Sequence, residues 1–187
     1  MEIKEIKEKL INGNKSYVSD LENLSSNSDL RNSLTSGQEP FAIILSCADS
    51  RVVPEMIFDC NIGELFVVRV AGNIANQSST ASIEYAVAHL KCKMIVVLGH
   101  ESCGAVTAAV QGGDNGPNLN HLCSHISEAV NMGKGKELSE VIKINAANNA
   151  NELVNSSSII SDAVNSGNLS IESAYYHLGS GEVEFAS

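Results

Sequence analysis

Three short runs, Phe41-Ala42-Ile43-Ile44-Leu45, Leu65-Phe66-Val67-Val68-Arg69-Val70 and Met94-Ile95-Val96-Val97-Leu98, constrain this chain more than any other feature. None alternates apolar with polar residues; the first suits a strand covered on both faces, as strands of a parallel sheet under helices are, and the third reads as buried too. The segments between them have helical spacing. Pro54-Glu55-Met56-Ile57-Phe58 carries proline in its first turn. Ser78-Ser79-Thr80 offers N-caps for a helix through Ile83, Tyr85, Ala86, Val87 and Leu90, and Gly104–Val110 forms a third. Strand and helix in alternation give an α/β fold: a central, mostly parallel β-sheet flanked by helices, with an N-terminal helical arm.

The arm covers residues 1–36. Ile3, Ile6, Leu10 and Ile11 share one helical face, Gly13-Asn14 reads as that helix's end, and a second helix is expected over Ser16–Leu24. Residues 25–40 are polar and turn-rich. The apolar stripe must be covered either by its own domain or by a partner subunit. Residues 37–187 form the α/β core of what reads as one domain, 1–187. Beyond the third strand, helices are expected near 119–132, 137–155 and 158–165. A strand over Leu169–Leu178 then turns at Gly179-Ser180-Gly181 into a short final strand over Glu182–Phe185.

With 187 residues the chain buries a full core without disulfides, and its formal charge of −10 argues against nucleic acid as a partner. No stretch approaches the roughly 18 apolar residues of a membrane span. The N-terminus alternates charge where a signal peptide needs an apolar segment. Five cysteines without regular spacing argue for a reducing cytoplasm over a disulfide framework.

Two of the strands emerge into unusual sequences. Cys47-Ala48-Asp49-Ser50-Arg51 follows the first run, and Gly99-His100-Glu101-Ser102-Cys103-Gly104 follows the third. Strand ends of this kind are where open α/β sheets bind ligands. Two thiolates and an imidazole suit Zn²⁺, and three protein ligands with one open position is the catalytic pattern. Cys47, His100 and Cys103 are therefore the expected ligands of one zinc ion. Cys60, Cys92 and Cys123 read as small buried hydrophobes; His89, His121, His125 and His177 read as ordinary hydrogen-bonded residues. Rival motifs fail: Ser102 has His100 where a nucleophile elbow needs glycine, and Cys103-Gly104 stands where a zincin helix needs its second histidine.

A zinc ion with two thiolates and a neutral imidazole is net neutral. It is a weaker Lewis acid than a three-histidine zinc, whose bound water ionises at about pH 7. An acceptor beside it would orient the attacking oxygen. Asp49 stands two residues past Cys47, and Arg51 can hold its carboxylate ionised and off the metal by a two-pronged bond. Arginine is rare here, only Arg31, Arg51 and Arg69 against nine lysines, which favours a specific use of its rigid fork.

Cys47-Ala48-Asp49-Ser50-Arg51-Val52, Arg69-Val70-Ala71-Gly72-Asn73 and Gly99-His100-Glu101-Ser102-Cys103-Gly104-Ala105-Val106 resemble the β-class carbonic anhydrases. Gly37-Gln38-Glu39-Pro40, Ile83-Glu84-Tyr85-Ala86-Val87 and the tail from Tyr175 to Phe185 extend the resemblance over nearly the whole chain. It implies reversible hydration of carbon dioxide to bicarbonate and a proton, by attack of zinc-bound hydroxide. It further implies Asp49 and Arg51 as a catalytic dyad, and Gly104 as a backbone donor to a substrate oxygen. Gln38, Phe66 and Tyr85 match positions lining a pocket shared between the subunits of a homodimer or higher homo-oligomer. Two positions depart from the pattern. Val70 stands where the family commonly has asparagine. Ile44 stands where one subclass has a tryptophan that helps form a regulatory bicarbonate site. The alternatives are hydrolysis of a related heterocumulene, carbonyl sulfide or carbon disulfide, and a non-catalytic zinc scaffold.

Overall fold

The computed structural model describes residues 1–20 and 28–186. Five strands form one sheet: β1 (Ala42–Ser46), β2 (Leu65–Arg69), β3 (Met94–His100), β4 (Ser170–Tyr176) and β5 (Val183–Phe185). Their order is β2-β1-β3-β4-β5. The first four run parallel, and β5 closes one edge antiparallel to β4.

Every residue of β1 and β3 is buried, as their unbroken apolar sequences require. The two-residue strand period divides them between two cores. Ala42, Ile44, Met94, Val96 and Leu98 pack with Ile6 and Leu10 of α1 (Ile3–Val18) and with Ile57 of α3 (Pro54–Ile57). Ile43, Leu45, Ile95 and Val97 pack with α4 (Gln77–Ala88), α8 (Leu138–Ser156) and α9 (Ser158–Asn165) through Ile83, Leu153 and Ile160. At roughly 1.5–3 kcal/mol for each large side chain buried, this two-sided burial is the main force holding the sheet against its helices. Among the described residues, no helix is long and apolar enough to cross a membrane.

The N-terminal arm differs from its expected form. α1 runs unbroken from Ile3 to Val18, through the Gly13-Asn14 pair that read as a stop. Gly13 is there for close packing: a Cβ at this position would sit 1.9 Å from the Phe58 carbonyl oxygen. Asn14 is buried and clamps three backbone groups. Its Nδ2 donates to the carbonyls of Ile57 (3.1 Å) and Gly181 (2.8 Å), and its Oδ1 accepts from Val183 N–H (2.8 Å). Of the second helix expected over Ser16–Leu24, residues 16–18 belong to α1, the chain turns at Ser19-Asp20, and 21–24 lie outside the described residues. The polar stretch that follows carries a one-and-a-half-turn helix, α2 (Ser28–Ser33). The apolar stripe of α1 is covered by the chain's own sheet.

Two further boundaries moved. The cap of α4 is Asn76, whose side chain accepts from Ser79 N–H (3.0 Å) while Ser79 Oγ accepts from Asn76 N–H (2.9 Å). Ser79, read as a cap, is thus the reciprocal partner inside the helix, the arrangement of a capping box. The helix expected near 119–132 is split into α6 (Pro117–Ser124) and α7 (Ser127–Met132). Ser124 Oγ and Ser127 Oγ donate to the carbonyls of His121 and Ser124, and the intervening N–H groups tighten to the residue three back. The bend lets Ile126 enter a third apolar cluster beside Cys47 and Cys103. α5 (Gly104–Gln111), α8, α9 and the two final strands lie where the sequence places them.

Candidate metal centre

Parallel strands β1 and β3 are neighbours, with Ser46 level with Leu98, so Cys47 and His100 emerge side by side at the same edge of the sheet. Cys103 follows after a tight turn that places Ser102 in the left-handed region (φ 55°), and it caps the N-terminus of α5. The two Sγ atoms are 4.0 Å apart, and with the imidazole nitrogen the three ligand atoms all lie within 4.8 Å of one another. Two sulfurs bound tetrahedrally at about 2.3 Å would stand about 3.8 Å apart, so this separation suits a zinc ion between them.

His100 supplies the sharpest test of fit. It is fully buried, its Nδ1 lies 2.9 Å from the Glu101 carbonyl oxygen, and its Nε2 has no hydrogen-bond partner. The carbonyl can only accept, so Nδ1 carries the proton and Nε2 presents a bare lone pair toward the sulfurs. A buried lone pair without a donor is costly unless a cation occupies it. The sulfurs tell the same story. Cys47 is held far below the ordinary thiol range, first by the facing Cys103 thiol and then by His100 and the N–H groups of Gly72 and Asp49, with burial opposing. Cys103 is pushed far up by the Cys47 sulfur and by burial. One negative charge is welcome there and a second is not, until a cation lies between them. The residues fit Zn²⁺.

Asp49 faces the same space. Its Oδ2 stands 3.9 Å from His100 Nε2, too far to satisfy that nitrogen. Arg51 grips the carboxylate through Nε to Oδ1 (2.9 Å) and Nη2 to Oδ2 (2.8 Å), and its backbone N–H adds a third bond to Oδ1 (3.0 Å). This grip holds the carboxyl well below the usual carboxylate range. Arg69, at the end of β2, fixes the loop from outside by donating to the carbonyls of Cys47 (3.1 Å) and Asp49 (2.7 Å). Its position level with Ser46 at the same sheet edge is the signal that could have assigned it this role.

The other expected site residues are not drawn into this cluster. Gly104 directly follows Cys103 as the exposed first residue of α5, with open space where a side chain would be. Gln38 is exposed in the segment before β1. Phe66 is half-buried on β2 with its ring 6.4 Å from that of Tyr85, which is 48% exposed on α4. Phe66 is paired with Ile43, four residues back from Cys47, so about 13 Å of strand separates it from the metal ligands of its own chain. Cys60 and Cys92 are buried as expected, whereas Cys123 is only half-buried on α6. His89, His121, His125 and His177 lie outside the metal cluster; His177 pairs with Glu184 at 3.5 Å. Ile44 sits in the core under α1.

A family model described as carbonic anhydrase matches residues 42–183, the segment holding all three ligands, Asp49 and Arg51. The chain belongs to the β-class carbonic anhydrase family. A carbonic anhydrase of Mycolicibacterium smegmatis is 39% identical over 165 residues, 84% of this chain and 80% of that one. Carbonic anhydrase 2 of Mycobacterium tuberculosis is 39% identical over 160 residues, 82% and 77% of the two chains. Among solved structures, the β-carbonic anhydrase CcaA aligns over 99% of this chain and 91% of its own, with a TM-score of 0.78 and 26% identity. A tetrameric β-carbonic anhydrase of Sordaria macrospora aligns over 86% and 87%, with a TM-score of 0.75 and 28% identity.

Proposed function

We infer that this β-carbonic anhydrase catalyses the reversible hydration of carbon dioxide to bicarbonate and a proton. The observation that carries the reading is the buried Cys47, His100 and Cys103 cluster with an ionised, fork-held carboxylate beside it. Zn²⁺ would be held by the two sulfurs and His100 Nε2, and would supply the Lewis acidity that makes water a nucleophile.

The chain's own residues do the rest. Asp49 accepts a hydrogen from the attacking oxygen and turns its lone pair toward the substrate carbon. It is suited to this because Arg51 keeps it ionised and oriented, so that the carboxylate is an acceptor at every working pH. Arg69 keeps the Cys47–Asp49 backbone from drifting, which fixes the acceptor relative to the ligands. Gly104, with its N–H at the first turn of α5, donates to the substrate oxygen on which negative charge grows; such groups lack a partner within the helix.

Gln38, Phe66 and Tyr85 line a substrate pocket shared between the subunits of a homodimer or higher homo-oligomer. The separation of Phe66 from its own ligands and the exposure of Tyr85 support this, as does the tetrameric assembly of the Sordaria enzymes. Light scattering that returned a monomer at working concentration would remove this part. The five free cysteines support a reducing, cytoplasmic setting. The deciding experiment is metal analysis together with stopped-flow hydration of carbon dioxide on the purified protein. We expect one zinc per chain and rapid turnover; a zinc-loaded protein that leaves the uncatalysed rate unchanged would refute the reading.

A further inference from the structure

Two buried asparagines on α8 are unexplained by packing. Asn145 and Asn149 stand one turn apart on the face that meets the sheet, where apolar residues would cost less to bury. Both side chains are hydrogen-bonded through nitrogen and oxygen. Asn145 Nδ2 donates to the Gly72 carbonyl at 2.9 Å, and its Oδ1 accepts from Asn149 Nδ2 at 3.1 Å. Asn149 Nδ2 also reaches the Asn145 carbonyl (2.8 Å), and its Oδ1 accepts from Ala75 N–H at 2.7 Å. The second amide fixes which way the first one faces. Together they grip both ends of the turn 72–75.

That turn reaches the metal site through a hydrogen bond. Gly72 N–H points at Cys47 Sγ, 3.4 Å away. Gly72 is at φ 72°, where a side chain is strained, and a Cβ there would stand 2.9 Å from Ile126 Cδ1 and 3.3 Å from Ala105 Cβ. Glycine leaves the backbone its greatest freedom just where a hydrogen bond must be aimed. The peptide after Gly72 is held on one side by Asn145 and on the other by Asn73 N–H to the Val70 carbonyl (2.9 Å), which anchors the Cα from which the N–H of the preceding peptide is aimed.

We propose that Asn145, braced by Asn149, is a positioning residue for the metal: by fixing the Gly72 carbonyl it aims the Gly72 N–H at the Cys47 sulfur. A hydrogen bond to a ligating sulfur withdraws charge from it. In a site with two sulfurs, that offsets part of the weakness in Lewis acidity that the second thiolate causes. Groups that orient metal ligands in this way typically change metal affinity or activity by about 10- to 100-fold when removed.

The role rests on the zinc reading above, and the test separates the two. Wild type, Asn145→Ala and Asn149→Ala are loaded with cobalt(II), and zinc affinity is measured by chelator competition. A sulfur that has lost its N–H donor gives up charge more easily, so the sulfur-to-cobalt absorption band moves to longer wavelength. We expect that shift in both variants, larger in Asn145→Ala, with a loss of zinc affinity of about 10- to 100-fold in Asn145→Ala. A merely structural role would lower the melting temperature and leave the band in place, and that outcome overturns the proposal. Should Asn145→Ala fail to fold, Asn149→Ala decides alone: a shifted band supports the role and an unshifted one refutes it. A wild type that takes up neither metal would instead sink the zinc reading itself.

Discussion

Cys47 and Cys103 at the ligand edge of the sheet, and Cys60 and Cys92 elsewhere in the core, are the same residue under almost the same burial, yet their sulfurs face different partners, and of the four only Cys47 is held low. Cys60 and Cys92 point their thiols at carbonyl oxygens, of Phe58 at 3.3 Å and Pro40 at 3.2 Å. Burial outweighs the one influence that favours a thiolate at each, the Lys9 charge near Cys60 and the backbone of Cys92 itself, and pushes Cys60 up to about 12 and Cys92 up to about 11. At the other pair the sulfurs face N–H groups: Gly72 toward Cys47, and Val106 and Ala105, at the start of α5, toward Cys103. Burial alone makes a cysteine inert. A ligand needs donors aimed at it and a lone pair opposite.

The largest effect that could break this contrast is loss of one ligand. Cys47→Ser should empty the site on dialysis against a chelator and reduce carbon dioxide hydration to background, because an alcohol does not ionise to replace the thiolate. A serine variant that keeps its zinc would show that the N–H donors, not the sulfur, define the site. Next in size is Asp49→Ala. With no ligand removed, zinc content should stay at the wild-type level while turnover falls by about 10²- to 10⁴-fold, the usual range for a lost proton acceptor. Zinc loss in this variant would mean that Asp49 serves the metal directly.

A smaller effect lies in the pH profile. Arg51 holds the Asp49 carboxyl down, so in wild type the paired carboxylate persists below the ordinary carboxylate range and is lost only as pH falls through that lowered value. Removing the fork in Arg51→Ala lets the carboxyl return toward about pH 4, so kcat/KM should fall more steeply than in wild type below about pH 5. An acid limb no steeper than that of wild type would show that Arg51 does not set the protonation of Asp49. On the alkaline side, the weak Lewis acidity of a two-thiolate site should make the wild-type rate climb with pH. A rate flat from about pH 6.5 to about 9 would contradict that electrostatic account.

What could be read from the sequence alone follows the same division. The two-sided strands and the ligand types declared themselves, because continuous apolar runs and Cys, His and Asp at their ends are local signals. The clamps did not. Gly13-Asn14 has the local appearance of a helix end, and only the approach of the Phe58 carbonyl and the three backbone groups around Asn14 explain it as helix interior. Asn145 and Asn149 look like polar residues in a soft helix, and their partners Gly72 and Ala75 lie more than seventy positions away. Arg69 was visible as part of a motif, but its grip on the carbonyls of Cys47 and Asp49 depends on the register of β1 with β2. Hydrogen bonds across long sequence separation leave no periodicity behind them.

The smallest effect concerns the inert pair and tests the other half of the contrast. A Cys60→Ala and Cys92→Ala double variant should keep full zinc and an unchanged hydration rate, while losing about 1–2 kcal/mol per site near pH 7 from the space left behind. Its stability should also depend less on alkaline pH. Both native thiols titrate above their unfolded value of about 8.5, so the folded state holds protons that the unfolded chain releases. Their contribution is fully present below that value and is lost as pH rises through the folded values of about 11 and about 12. Denaturant melts at intervals from about pH 8 to about pH 10 should therefore show wild type falling more steeply than the double variant, by up to about 1.4 kcal/mol per pH unit for each thiol removed. Parallel curves would show that these two sulfurs are already in contact with solvent, and that burial is not what separates them from the metal ligands.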